Sequence, residues 1–328
     1  AEFIIAHFYI LSDSDRLANL VQWFALVGCA VASSLCAALL GGERKVQILT
    51  AALVVSIPMV ILQASSTQND LVVSFWILTT FAFILKWKKY VSQNRQFFYI
   101  FSAIGLALLT KGTAYIFLVP IVVWMAFLLA RNFKKISWIN LVFCGMLVLL
   151  LNGGHFYRNM EIYKTPLGHS YKLTNEKMGL MPLLSNAVRN VALHCKTPSR
   201  EVNTKIEDAF VAIYQKAGLD INDPTTTWHG SFSFNLQTTY NHEDYASNPF
   251  HLLLICVSFF ALLAIKELRR SKELLAYAAI ICGSFLLFCL VLKWQIWHPR
   301  LHLPMFVLAM PFCALVFSKL RFGLAVKS

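Results

Sequence analysis

The sequence predicts an all-α polytopic integral membrane protein with about nine transmembrane helices and one long external loop. Three observations carry this. Hydrophobic residues make up 58% of the 328 and charged residues 14%, where an ordinary soluble domain carries roughly 25% charged. The apolar residues fall in long runs, too many for one buried core. The net charge of +13 also divides among the loops in the way a topology signal does.

A spanning helix needs about 20 apolar residues. Runs of that kind lie at 20–41, 46–63, 71–86, 97–110, 113–130, 137–152, 249–265, 274–292 and 301–318. The runs 97–110 and 113–130 read as a hairpin broken at Thr110-Lys111-Gly112, because that reading sorts the charge. One side then holds 16 basic and three acidic residues, and the other holds 13 of each. The basic side is cytoplasmic by the positive-inside rule. A single helix across 97–130 would destroy the pattern. In a soluble protein this excess would suggest nucleic acid; here it orients the chain in a bilayer, and no nucleic-acid partner is expected. Trp87 and Trp138 fall at inner ends, and Trp294 and Trp297 at an outer end, where aromatic belts sit.

The topology divides the chain in three. Residues 1–152 form an N-terminal bundle with an interfacial segment at 1–19, since the apolar stretch 2–11 is too short to cross. Residues 153–248 form an external loop, with helical spacing over 201–217 and a turn at Asn222-Asp223-Pro224. Residues 249–328 supply the last spans. An external N-terminus without a signal segment predicts that a preceding span has been lost. The eight cysteines include no C-x-x-C, and only Cys195 lies outside an apolar run.

No P-loop, dinucleotide glycine pattern or H-E-x-x-H motif is present. The chemistry-bearing residues map instead to the external side. Asp70 opens the run 71–86 after Ser65-Ser66-Thr67-Gln68-Asn69. A carboxylate at a membrane edge is costly unless solvated or paired; the ordinary alternative is a helix N-cap, which Asn69 or Asp70 would supply well. Lys111 stands alone at the hairpin tip, where an ammonium could hold a lipid phosphate or simply snorkel. His242, Glu243 and Asp244 are residue types that bind a divalent metal, but three consecutive residues do not share one helix face, and a solvated loop is the alternative. Lys293, His298 and Arg300 lie beside Trp294 and Trp297, a combination suited to phosphate headgroups or to plain interfacial anchoring. Arg158, after Gly153-Gly154-His155-Phe156-Tyr157, is a further cation of this kind.

The stretches ASSTQNDLVVSFW and GLALLTKGTAYIFLVP resemble the membrane glycosyltransferases of the GT-C fold, nearest to the protein O-mannosyltransferase-like and aminoarabinose-transferase-like family with its bacterial Rgt-type members. FYRNMEIYKTPLG, NHEDYASNPFHL and WQIWHPRLHLPMFVL are similar to its bacterial members too. The resemblance implies transfer of a sugar from a polyprenyl-phosphate donor to a glycan, lipid or protein acceptor. It places the reaction at the non-cytoplasmic face of the cell (inner) membrane. It puts Asp70 at the acidic position of the second outer loop, His242 to Asp244 at a place where some members carry acids or His, and Arg300 where an arginine is common. The family's first outer loop, with its catalytic acid, has no counterpart here, and Glu2 is not assumed to replace it. Two other readings stay open: a non-enzymatic transporter or lipid-carrier flippase, and an inactive GT-C scaffold. A transporter predicts repeated halves or paired broken helices, and no internal repeat is visible. The missing acidic loop keeps the scaffold reading open.

Overall fold

The computed structural model describes residues 2–90, 95–135, 137–168, 173–228, 233–237 and 241–325. Of the basic residues assigned to the inner side, Lys327 and the side chains of Lys135 and Arg321 lie outside the described set.

The elements run α1 (Glu2–Ser12), α2 (Leu20–Leu39), α3 (Arg44–Val55), α4 (Pro58–Ala64), α5 (Asp70–Lys89), α6 (Gln96–Thr110), α7 (Thr113–Arg131) and α8 (Trp138–Tyr163). Then follow α9 (Leu180–Ala192), α10 (Arg200–Lys216), α11 (Pro249–Ala264), α12 (Lys266–Arg269), α13 (Lys272–Val291), α14 (His298–Leu301) and α15 (Leu303–Ala325). No strand occurs among the described residues; two isolated bridges, Thr174 with Leu292 and Thr227 with Trp294, tie the segment between α8 and α11 to the end of α13 and the residues just after it. The protein is all-α and membrane-spanning.

Six described helices are long and apolar enough to cross a bilayer: α2, α5, α7, α8, α13 and α15. The predicted span 46–63 is a bent pair, α3 and α4, meeting at 67°; counting it gives seven. The predicted spans 97–110 and 249–265 are helices of 15 and 16 residues. At 1.5 Å per residue they are about 22–24 Å long, shorter than a hydrocarbon core of about 30 Å. By length and composition, six or seven of the nine predicted spans are therefore borne out among the described residues.

The break between α3 and α4 has a local cause. Pro58 opens α4 and holds Ile57 in the extended region (φ −65°, ψ 120°). A helix interrupted in an apolar bundle leaves backbone groups without partners unless other protein groups reach them. Here Asn248 Oδ1 accepts from Met59 N at 3.1 Å, and His251 Nε2 lies 3.1 Å from Leu53 O. Both come from the start of α11.

Helix α15 is the axis of the bundle, with 78% of its spanning window buried, against 6% for α8. Helix α8 leans on α6 through a close approach at Gly105, where a Cβ would meet Leu151 Cδ1 at 2.7 Å. Asn152 fixes the crossing by donating to Gly105 O at 3.0 Å. Small residues and buried amides are the usual means of holding apolar helices together where lipid removes the hydrophobic drive. The remaining face of α8, with Phe143, Met146 and Leu150, is exposed. This helix also runs past residue 152 to Tyr163.

Two tryptophans differ from their expected interfacial role. Trp87 and Trp294 are fully buried, Trp87 against Phe97 and Trp294 against Phe234.

Candidate functional site

One end of the bundle gathers polar ends of several helices. Asp70 is the first residue of α5 and is 1% exposed. It is not a cap. Neither Asn69 nor Asp70 makes a side-chain capping bond. The first-turn amides of Leu71 and Val72 instead donate to Gln22 Oε1, at 3.1 and 3.3 Å. The carboxylate is thus free for another use. The chain breaks at Lys111, in extended conformation between α6 and α7, and Lys111 Nζ reaches Asp70 Oδ1 at 2.5 Å. Asp70 Oδ2 is buried and has no hydrogen-bond partner among the described residues.

Around this pair lie three further groups. Asn69 donates to Glu2 Oε1 at 2.6 Å and to Thr110 O at 3.3 Å, which joins α1 and the α6 tip to the α5 start. Arg300, on α14, pairs with Asp244 Oδ1 at 2.9 Å and donates to Gln68 Oε1. Gln68 in turn donates to the same Asp244 oxygen at 3.1 Å. Burial pulls the Lys111 ammonium below the ordinary lysine range; Asp70 opposes that shift, and the Arg300 charge adds to it. The result is a buried carboxylate paired with Lys111, whose ammonium also feels the Arg300 charge.

Of the remaining candidates, Asp244 alone belongs to this cluster. Asp244 joins the cluster, but His242 is exposed and 3.7 Å from it, and its ring lies against Tyr245. Among the described residues no three His, Cys, Asp or Glu side chains are placed to hold a metal ion, because Asp244 is committed to Arg300 and Gln68. Lys293 is buried and bonded to Glu176, in the segment between α8 and α11. Arg158 is exposed on α8 and shares no hydrogen bond or ion pair with the cluster among the described residues.

His298 is fully buried, with Nδ1 2.7 Å from Asn190 Oδ1. It belongs to a second constellation. On α9, Asn186, Arg189 and Asn190 are buried, and His194 follows just beyond its end. His194 Nε2 meets His302 Nδ1 at 2.9 Å. Arg189 donates to Ile221 O, Thr226, Thr227 and Asn186, and its guanidinium lies 5.6 Å from the Trp294 ring centre. Burial lowers the Arg189 pKa to about 10. This constellation clamps the segment between α8 and α11 onto α13 and α14. Its signal was present in the sequence: polar residues at 186, 189, 190 and 194 recur at helical spacing on one face.

Residues 1–152 match the family model described as dolichyl-phosphate-mannose-protein mannosyltransferase. That match bears out the likeness to the GT-C membrane glycosyltransferases. It contains Asp70, Lys111, Gln22 and Glu2; Asp244 and Arg300 lie beyond it. No curated protein and no solved structure matches the chain.

Proposed function

We propose that this chain is a membrane glycosyltransferase that moves a sugar from a polyprenyl-phosphate donor to an acceptor at the external face. The observation that carries the reading is the buried Asp70 carboxylate, with one oxygen on Lys111 and the other unpartnered, inside the family-matched segment. In such a transfer the bond from the anomeric carbon to the phosphate oxygen breaks, and a bond from that carbon to an acceptor oxygen forms. Asp70 Oδ2 accepts the acceptor's proton, as a general base must. The bonding electrons leave with the polyprenyl phosphate, whose added charge is met by Lys111 and Arg300.

The charge split of the loops supports an external site, since Asp70, Lys111, Asp244 and Arg300 all fall on the side that carries no net charge. A transporter would carry a second broken helix in a matching half; among the described residues one broken pair occurs. The test is transfer by full-length protein in liposomes. Polyprenyl-phosphate sugar should serve as donor, and a nucleotide sugar without lipid carrier should not. Sustained transfer from the nucleotide sugar alone overturns the donor assignment, and absence of transfer from any polyprenyl-linked sugar overturns the enzyme.

A further inference from the structure

Beneath the Asp70–Lys111 pair two glutamines are fully buried, Gln22 on α2 and Gln63 on α4. An unpaired amide in an apolar interior costs several kcal/mol. These two are paired atom by atom. Gln22 Oε1 accepts from the Leu71 and Val72 amides, while its Nε2 donates to Gln63 Oε1 at 3.1 Å. Gln63 Nε2 donates to Glu243 O at 2.8 Å. Ser66 Oγ also bonds the Gln63 backbone carbonyl, at 3.1 Å, and accepts from Gln68 N at 3.3 Å. The chain of bonds therefore starts at the first turn of α5 and ends on the segment beside Asp244.

We propose that Gln22 and Gln63 are positioning residues for the transfer reaction, holding the Asp70-bearing turn in register with the segment whose Asp244 fixes Arg300. The proposal rests on the reading of the Asp70 cluster as the transfer site. A side-chain amide presents a donor and an acceptor in one plane, so two in series transmit a fixed geometry between elements far apart in sequence. Gln68, two residues before Asp70, makes the direct tie to Arg300 and Asp244; the glutamine pair adds a second, buried link that spans 180 residues to reach Glu243. Misplacement of a reacting group by about 1 Å can cost 10²-fold in rate, so a rigid relay at this point has a direct kinetic meaning. Neither glutamine touches the reacting atoms.

The experiment compares Gln22→Met, Gln22→Glu and Gln63→Met in full-length protein in liposomes, with rates normalised to folded protein. Gln22→Met removes both roles of the residue, and kcat should fall about 10- to 100-fold with donor KM nearly unchanged, since only Asp70 placement suffers. Gln22→Glu keeps an acceptor for the Leu71 and Val72 amides, and should recover at least part of that loss. Gln63→Met leaves the Gln22 acceptor in place but severs the link to Glu243, so donor KM should rise at least fivefold through Arg300. Wild-type kcat and KM per folded molecule in both methionine variants overturns the positioning role, leaving the pair as packing. A wild-type protein that transfers nothing overturns the underlying site reading, and is recognised by failure before any substitution is made. Should a methionine variant not fold, Gln22→Glu decides: a kcat below one-hundredth of wild type overturns the proposal, because the acceptor role is intact.

Discussion

Lys111 Nζ sits 2.5 Å from Asp70 Oδ1, and the two residues belong to different hairpins of the bundle. A pair this enclosed is a poor source of net stability, because desolvation offsets most of the attraction. Its retention in an apolar bundle points to use of the charges. The pair also poses a competition: an incoming phosphate must share Lys111 with Asp70.

Asp70→Asn keeps the shape of the side chain and leaves the α5 start intact, since Gln22 holds the first-turn amides. Transfer should fall about 10²-fold or more, the usual loss for a general base, with protein level in the membrane unchanged. Normal turnover in a well-folded variant would remove Asp70 from the mechanism.

Lys111→Met strands a carboxylate that is 1% exposed. Loss of one partner of a buried pair costs about 3–5 kcal/mol. The double variant with Asp70→Asn should regain much of that stability, and a double-mutant cycle from thermal unfolding in detergent measures the coupling. Additive effects would mean the pair does not interact.

Arg300→Gln should raise the apparent donor KM about tenfold or more, as loss of a charged hydrogen bond implies. Arg300→Lys should restore little, because one ammonium cannot serve Asp244, Gln68 and a phosphate with the fork of a guanidinium. Steady-state kinetics at varied donor concentration reads both.

The histidine cluster gives the clamp on α13 and α14 an acid sensitivity. Burial holds His194 and His298 well below their ordinary value of 6.5, and His302 at about 3. Below about pH 6.5 the unfolded chain takes up protons that the folded cluster refuses. Stability is therefore fully present above that pH and is progressively lost as pH falls below it. The melting temperature in detergent should drop between pH 7 and 5, and less steeply in His302→Gln. A flat profile in the native protein would contradict the buried neutral cluster.

The external placement of the segment after α8 is open to labelling. Cys195 is a poor reporter: burial raises its thiol pKa, and Sγ lies 3.5 Å from Val191 O. Lys205 is exposed on α10, so Lys205→Cys should react with an impermeant maleimide added outside intact cells. Labelling only after lysis would reverse the topology.

Hydropathy and charge made the bundle legible, including the break at Lys111, because an apolar run and a basic loop are local signals. The interruption at Pro58 was hidden inside a continuous apolar run; what defines it is capping by Asn248 and His251, nearly 200 residues away in sequence. At the site, Asp70, Lys111, Asp244 and Arg300 could be named from residue type and predicted side. That Asp244 faces Arg300 rather than His242 and Glu243 depends on tertiary contact, as does the burial of Lys293 and His298. Gln22 and Gln63 stayed invisible because a lone glutamine in an apolar helix has no local signature; its meaning lies in its partners.

The capping of the α3–α4 break has a consequence for biogenesis. The amide of Met59 waits for Asn248, and Gln68 waits for both Asp244 and Arg300. A ribosome adding about 5–20 residues per second takes on the order of ten seconds or more to make the intervening chain. During that interval the N-terminal helices sit in the insertion machinery with the start of α4 unsatisfied. A nascent chain stopped before residue 248 therefore holds the family-matched segment complete in sequence yet incomplete in structure, and it is the form most exposed to quality-control proteolysis.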